Sequence, residues 1–318
     1  MSRKLITIST IMTLMSTSVI ADVPNVAADI APIHSLVSRV MDGVGAPKLI
    51  VQSGASPHGY RLRPSEAKAL QDADHVFWMG EELTPWLDSA IGTLASKASV
   101  TTLLDQQGVI LHDFREGALF EAHDHSAHGD DDHDDHDDHK DHDDHDDHGS
   151  HDPHAWLSPE NAKLWLNIIA SKLSVSDPEN AATYFMNAAA GQAEIEAMIA
   201  EVKATLKPVQ GGKFVVFHDA YQYFENDFDF YASGAISLSD SSDPSPARIE
   251  KVQKRIRDEG IQCVLAEPQF KKGLVATVME GSDATASVID PLGTELEAGP
   301  KLYTQLIKNM AKTLRNCL

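Results

Sequence analysis

Residues 177–208 read DPENAATYFMNAAAGQAEIEAMIAEVKATLKP. A proline stands near each end, and the stretch between the two is rich in alanine, glutamate and methionine, which is typical of one long helix. A continuous helix over residues 178–206 would be about 43 Å long at 1.5 Å per residue. Gly191 leaves a second possibility open, two shorter helices with a break, because a glycine inside a helix costs about 1 kcal/mol relative to alanine.

The residues on either side of this helix repeat one pattern, in which short β-rich runs alternate with helical ones. That alternation is the signature of βαβ units and a parallel sheet, so the predicted fold class is α/β. The expected strands are Val23–Ala27, Leu49–Gln52, His75–Met79, Val100–Leu104, Phe214–Phe217, Ala235–Leu238, Gln262–Ala266 and Ser287–Ile289. The expected helices are Pro32–Met41, Pro64–Ala73, Pro85–Ser96, Ala220–Asp227, Pro246–Glu259, Lys271–Gly281 and Lys301–Asn316. The repeat predicts two domains, residues 22–177 and 207–318, joined by the helix over residues 178–206.

Residues 1–21 have the composition of a secretory signal. Arg3 and Lys4 form a positive start, an apolar stretch follows, and Val19-Ile20-Ala21 is a small-residue cleavage site before Asp22. A membrane anchor is the alternative, but the stretch is short and rich in serine and threonine, whereas a spanning helix needs about 20 strongly apolar residues. We therefore expect a cleaved signal and an exported, soluble chain.

The chain has two cysteines, Cys263 and Cys317. In an exported protein a disulfide between them is the economical interpretation. It would close a loop of about 55 residues, which the chain-entropy description values at up to about 4 kcal/mol. Two unpaired buried thiols are the less economical alternative.

The net charge of −22 is unevenly distributed along the chain. Residues 123–152 hold 14 aspartates and one lysine, a net −13, and the signal carries two positive charges, so −11 remains on the rest. A moderately acidic body argues against nucleic acid or a lipid surface as a partner.

Residues 123–151 consist almost wholly of aspartate and histidine in an Asp-Asp-His repeat, which we call the tract. Its carboxylates repel one another and Ala127 is its only apolar side chain, so we expect a disordered insertion in the first half of the chain. An acidic spacer needs only charge, whereas the regular histidine spacing favours a low-affinity collector of zinc. Its ten histidines are His123, His125, His128, His133, His136, His139, His142, His145, His148 and His151.

The histidines outside the tract differ in their position in the predicted fold, and the position indicates which of them are candidate ligands. Ligands of open α/β sheets collect beyond the carboxyl ends of strands. His58 follows a strand, His154 precedes a helix, His218 caps a strand and Asp290 ends the last strand. His34 lies in a helix and His75 at the start of a strand, so both are expected to be structural, and His112 is expected at the surface.

The coincidence of three histidines at such exits favours a metal site over three unrelated loop residues. Three imidazoles and one oxygen suit Zn²⁺, which prefers nitrogen and sulfur ligands in tetrahedral geometry. Mn²⁺ calls for more carboxylates, and copper stays an alternative on affinity alone.

Four motifs carry a resemblance to a known family. They are GASPHGY at residues 54–60 followed by LRPS at 62–65, DPHAWLSP at 152–159, FHDAY at 217–221 and IDPLG at 289–293. Together they resemble the ligand motifs of the cluster A-I metal-binding receptors of ABC transporters, over essentially the whole mature chain. The tract before the second motif and the cysteine pair make the chain most similar to the zinc receptors of that family.

The resemblance implies a periplasmic, monomeric protein of two (β/α)4 lobes joined by a rigid helix. One Zn²⁺ would lie in the cleft between the lobes, bound by His58, His154 and His218, and would be delivered to a membrane permease. Manganese and iron receptors of the family usually place a carboxylate at the third position, so His218 points to zinc. Some zinc receptors carry a glutamate before the first histidine, where this chain has Pro57, so the fourth position falls to Asp290 or to a water.

Two rival functions remain open for this sequence. A secreted zinc hydrolase also has three histidines and a water, but it needs a general base beside an open coordination position. The chain has no His-Glu-x-x-His segment, and Glu225 and Glu267 are only generic candidates. A zinc buffer, in which the tract does the binding, is the other rival. We therefore expect a receptor and not an enzyme.

Overall fold

The long helix of the chain lies between two parallel sheets. The structure is a computed structural model that describes residues 23–115, 119–120, 151–237, 244–269 and 272–318. The expected signal over residues 1–21 and the tract, apart from His151, lie outside these described residues.

The first sheet comes from the N-terminal half of the chain. Its strands are β1 (Val26–Ala28), β2 (Lys48–Leu49), β3 (His75–Trp78) and β4 (Ser99–Thr102), in the order β2-β1-β3-β4, and each pair is parallel. The helices of this half are α1 (Ala31–Val40), α2 (Pro64–Gln71), α3 (Pro85–Leu94) and α4 (Pro159–Ser176). Three of the four begin at a proline, whose fixed φ suits the first helical turn.

The second sheet comes from the C-terminal half and has the same plan. After helix α5 (Ala181–Leu206) its strands are β5 (Phe214–His218), β6 (Ala235–Ser237), β7 (Cys263–Ala266) and β8 (Thr285–Val288). Their order is β6-β5-β7-β8, again parallel. The helices of this half are α6 (Gln222–Phe228), α7 (Pro246–Glu259), α8 (Lys272–Met279) and α9 (Leu302–Cys317). The α/β fold class and the two parallel four-stranded sheets are confirmed.

Some strand limits differ from those expected. The edge strand β2 has two residues instead of four, because its ladder to β1 covers only Lys48 and Leu49. Backbone hydrogen bonds from Ile50 to Ala28 and from Val51 to Asp29 continue the pairing beyond it. The central strands β1, β3 and β5 are buried along their whole length, as expected for a parallel sheet covered on both faces.

Helix α5 runs without a break through Gly191, so the two-helix alternative is wrong. Gly191 is buried, and a Cβ built on it would lie 3.0 Å from the Leu166 side chain and 3.1 Å from that of Arg39. The missing side chain therefore lets α4 and α1 pack closely against α5, and this packing outweighs the helix cost of glycine. Helix α5 also packs against α9, so one apolar core extends from the first half into the second. The domain limits at 177 and 207 stay predictions.

The disulfide between Cys263 and Cys317 is present, with the two Cα atoms 5.5 Å apart. It connects the start of β7 to the last turn of α9 and so attaches the C-terminal helix to the second sheet. Among the described residues, no helix has the length and apolar character needed to cross a membrane.

Candidate metal centre

Three histidines from separate segments converge between the two halves. His58 lies in the loop after β2, His154 precedes a short turn over Ala155–Leu157 that leads into α4, and His218 is the last residue of β5. One ligand atom from each lies within 4.8 Å of the others. His154 and His218 are buried and His58 is half-buried. The structure therefore brings together the three histidines that the strand-exit argument selected.

His154 is oriented by Asp152. The Nδ1 atom of His154 lies 2.6 Å from Oδ1 of Asp152, and the same oxygen accepts a hydrogen bond from the His154 backbone N–H at 2.9 Å. Burial raises the pKa of Asp152 to about 7, while the backbone hydrogen bond lowers it. In its ionised form, which the backbone hydrogen bond favours, Asp152 only accepts hydrogen bonds, so Nδ1 of His154 then carries the hydrogen and the ring lone pair is on Nε2.

His218 has the same arrangement with another carboxylate. Its Nδ1 atom lies 2.5 Å from Oε1 of Glu267, which is 2% exposed and follows β7 directly. The second oxygen of Glu267 accepts a hydrogen bond from Nε2 of Gln269 at 2.8 Å. A carboxylate on the outer nitrogen of a metal-binding histidine fixes the ring and raises its basicity.

The two inward-facing nitrogens lie close together. The Nε2 atoms of His154 and His218 are 3.3 Å apart. With both hydrogens on Nδ1, two lone pairs face each other across this gap, and only a cation or a proton between them relieves their repulsion. Two nitrogens at 2.0–2.1 Å from a tetrahedral Zn²⁺ are separated by about 3.3–3.4 Å. The pair is therefore spaced as two ligands of one ion.

The loops around the histidines are held by tryptophans. Nε1 of Trp86 donates to the Pro57 carbonyl at 2.7 Å, next to His58, and Nε1 of Trp156 donates to the Pro291 carbonyl at 2.8 Å. The pocket lining consists of Pro57, His58, His154, Trp156, His218, Glu267, Gln269, Pro291 and Leu292. The cavity between these residues is small, with room for about one water or one ion.

Asp290 is not part of the histidine group. Its Oδ1 accepts hydrogen bonds from the backbone N–H groups of Leu292 at 3.0 Å and Gly293 at 2.9 Å, and Oδ2 accepts from that of Thr294 at 2.5 Å. The carboxylate thus shapes the loop that contributes Pro291 and Leu292 to the pocket. Its role as a fourth ligand or as the group that orients a water stays a prediction.

The other described histidines have structural surroundings. His34 is buried with Nε2 3.2 Å from the Pro47 carbonyl, and Nε2 of His75 lies 2.7 Å from Oγ of Ser176. Burial lowers the pKa of both rings. His112, expected at the surface, is partly buried because its ring packs on Tyr223 with centroids 4.7 Å apart. His151, the described end of the tract, faces Asp113 with Nδ1 2.9 Å from Oδ1.

Sequence reasoning missed two carboxylates of the site. Glu267 was considered only as a generic base, although it sits at a strand exit, the place that selected His218. Asp152 was quoted only as part of a motif. The pairing of Glu267 with His218 is not visible in the sequence pattern, because the two are 49 positions apart. Asp152 is only two positions from His154, so its pairing could have been found from the motif.

The chain is similar to known proteins over most of its length. Residues 26–317 match the family described as ZnuA, zinc-uptake complex component A, periplasmic. A relative from Brucella abortus (strain 2308), named high-affinity zinc uptake system protein ZnuA, is 47% identical over 304 residues, which are 92% of this chain and 91% of the relative. A relative of the same name from Paracoccus denitrificans is 42% identical over 302 residues, covering 94% and 93%.

Solved structures share the fold. A crystal structure of ZnuA superposes with a TM-score of 0.73 at 21% identity, covering 93% of this chain and 99% of that chain. A mutant of the laminin-binding adhesin Lmb from Streptococcus agalactiae has the same TM-score, identity and coverage. At this identity the likeness supports the architecture alone.

Proposed function

The chain belongs to the ZnuA family of periplasmic zinc-uptake complex components, and on that premise we propose that it is the zinc receptor of an ABC importer. It captures one Zn²⁺ between His58, His154 and His218 and delivers the ion to the membrane permease. The protein acts as a monomer in the periplasm, after removal of the signal over residues 1–21. Its relatives carry the name of a transport component, which supports a receptor without enzymatic activity.

The spacing of the two buried imidazoles is the observation that carries this proposal. Nε2 of His154 and Nε2 of His218 are 3.3 Å apart, each ring has a carboxylate on its Nδ1, and His58 supplies a third nitrogen within 4.8 Å. Three neutral nitrogen donors suit Zn²⁺ better than Mn²⁺ or Mg²⁺, which favour oxygen ligands.

Water is the proposed fourth ligand. The Asp290 oxygens already accept hydrogen bonds from the loop over residues 292–294. We assign Asp290 the indirect role of shaping that loop and orienting the water, and its negative charge offsets part of the charge of the ion.

A hydrolase is less well supported by the same contacts. Glu267, the acidic residue that lines the pocket, has one oxygen on His218 and the other on Gln269. A general base needs a free oxygen directed at the metal-bound water. Glu267 instead orients a ligand.

The tract is proposed as an auxiliary collector that holds several ions weakly and raises the local zinc concentration near the pocket. Histidines three positions apart can share an ion if a helical turn forms. Deleting the tract should lower the total zinc stoichiometry and leave one tight ion, and a deletion of residues 123–150 keeps His151 available as a control.

A chelator-competition titration of the tract-deleted protein tests the proposed function. Wild-type pocket residues should give one tight Zn²⁺ per chain, and His58→Ala, His154→Ala and His218→Ala should each weaken it. The half-buried His151, which lies outside the pocket lining, is changed to Ala as the control and should leave the tight site intact. Tight binding that survives all three pocket substitutions would refute the assignment.

A further inference from the structure

A half-buried arginine connects the N-terminal half of the chain to the segment that carries His218. Arg115 lies between β4 and the tract, and its side chain is 16% exposed. Its Nε lies 3.0 and 3.1 Å from the two oxygens of Asp219, the residue directly after His218. Its Nη1 donates to Glu225 on α6 at 2.6 Å. The ion pairs therefore join the segment before the tract to α6 and to the residue that follows His218.

This charge cluster is enclosed by protein. The side chains of Asp219 and Glu225 are 7% and 1% exposed, and the guanidinium carbon of Arg115 lies 3.6 Å from the centre of the Phe120 ring. Burial alone would lower the pKa of Arg115, but the hydrogen bonds and charges of Asp219 and Glu225 raise it above its ordinary value. A buried pair of this kind becomes costly when one partner is removed, because the other charge is left uncompensated.

A buried tyrosine makes a second connection between the same regions. The Tyr223 hydroxyl, on α6, donates to the Asp152 carbonyl at 2.7 Å and accepts a hydrogen bond from the His112 N–H at 3.1 Å. The Asp152 N–H donates in turn to the His112 carbonyl at 2.7 Å. One hydroxyl thus contacts the backbone on both sides of the tract, at His112 before it and at Asp152 after it. The side chain of Asp152 in turn contacts His154.

The two connections act on the two buried histidines. Asp219 adjoins His218, and Asp152 contacts His154, so Arg115 and Tyr223 together fix the backbone on both sides of the 3.3 Å gap between these rings. We call the set Arg115, Asp219, Glu225, Tyr223 and His112 the cross-half clamp. Its members lie outside the pocket lining.

We propose that Arg115 and Tyr223 are positioning residues that set how slowly the ion leaves, by holding His218 against His154 through the cross-half clamp. The inference rests on the proposed function, since it needs a tight ion between the histidines. Release requires the two histidines to separate, and separation must break the ion pairs of Arg115 and the hydrogen bonds of Tyr223. Because dissociation has to break these contacts, the clamp affects the dissociation rate much more than the association rate.

The test compares zinc release from the full-length chain and four main variants. Arg115→Gln removes the charge, and Tyr223→Phe removes only the hydroxyl. Arg39→Gln is the matched control for the first, because Arg39 is 14% exposed and pairs with Glu194 through two nitrogens. Tyr184→Phe is the control for the second, because the fully buried Tyr184 donates to Asp177 at 2.7 Å, away from the pocket.

Each zinc-loaded protein is mixed with excess chelator in a stopped-flow instrument, and loading is measured separately. Arg115→Gln should release the tight ion about tenfold faster or more, as expected for truncating a buried charge pair. Tyr223→Phe should accelerate release severalfold, Arg115→Lys should restore part of the lost retention, and association rates should stay within about twofold. The Co²⁺-substituted proteins should show a changed ligand-field spectrum in Arg115→Gln and not in Arg39→Gln.

Two outcomes would overturn the clamp. One is release at the wild-type rate from Tyr223→Phe and from any folded Arg115 variant. The other is equal acceleration in the Arg39→Gln and Tyr184→Phe controls, which would reduce the effect to general destabilisation. If Arg115→Gln does not fold, the conservative Tyr223→Phe variant decides. A wild-type chain without a tight zinc ion would refute the proposed function itself, a result separate from unchanged release rates.

Discussion

The Nε2 atoms of His154 and His218 face each other at 3.3 Å, although the residues are 64 positions apart in the chain. Each ring has a carboxylate on its opposite nitrogen, Asp152 for His154 and Glu267 for His218. The arrangement leaves two lone pairs directed at one small space, with His58 beside it. The proposed cation site thus draws its ligands from both halves of the chain.

Glu267→Gln should weaken zinc binding by about 10- to 100-fold, the usual effect of losing an outer partner of a metal-binding histidine. The amide keeps the shape of the side chain but loses the charge that raises the basicity of His218. A chelator-competition titration measures the loss, with Glu194→Gln, an exposed partner of Arg39, as the control. Equal affinities in Glu267→Gln and wild type would remove Glu267 from the site.

Zinc affinity should fall as the pH drops through the ordinary histidine range near about 6.5, because an imidazole binds a metal only in its neutral form. Three histidines must lose any bound proton before the ion enters, so the dependence should be steeper than for one histidine. Binding isotherms of the tract-deleted chain between pH 5.5 and pH 8 check this. A flat profile would contradict an all-histidine site.

How much of this site could be predicted from the sequence depends on the range of each interaction. His58 and His218 were selected because each lies at the exit of a strand, and His154 because it lies in the loop before a helix, and these positions are local properties of the sequence. Glu267 was not assigned its role, because its contact with His218 arises only when β7 pairs with β5. Tertiary packing also determines that helix α5 continues through Gly191, because close contact with Leu166 outweighs the weak helix propensity of glycine.

The role of Arg115 also could not be predicted from the sequence. In the sequence it is a single arginine before the tract, and no local pattern indicates its partners. In the structure its partners lie 104 and 110 positions away, at Asp219 and Glu225. Only the fold shows that Arg115, in the segment before the tract, contacts α6.

Asp29 should make the free energy of unfolding depend on pH. It is fully buried, its oxygens accept the N–H groups of Ile30 and Met79, and burial raises its pKa from 3.8 to about 7. Between those pH values the folded chain holds a proton that the unfolded chain has lost, so stability falls as the pH rises from 4 to 7. The slope from one such group is at most about 1.4 kcal/mol per pH unit.

Asp29→Asn tests this in the metal-free protein. The amide cannot accept from both N–H groups, so the variant should be less stable by about 1–3 kcal/mol. The free energy of unfolding of the variant should also depend less steeply on pH. Part of the dependence should remain, because burial raises the pKa of Asp152 and of Glu225 to about 7 as well. Urea unfolding at pH 5, 6 and 7 measures both effects, with the exposed Asp74, changed to Asn, as the control. Identical slopes in Asp29→Asn and wild type would show that Asp29 does not titrate in this range.

Removing the disulfide should destabilise the chain by up to about 4 kcal/mol, because the link between Cys263 and Cys317 restricts the unfolded state. The double variant Cys263→Ala, Cys317→Ser avoids free thiols that would bind zinc. Its denaturant midpoint should match that of the reduced wild type in the presence of chelator. A double variant as stable as the oxidised wild type would contradict the prediction.

The most direct test of the central claim is a crystal structure of the zinc-loaded protein with anomalous data collected on both sides of the zinc absorption edge. We predict one strong anomalous peak between the Nε2 atoms of His154 and His218 and the ring of His58, at about 2.0–2.1 Å from each coordinating nitrogen. A fully loaded protein whose zinc peaks all lie outside this pocket would contradict the account.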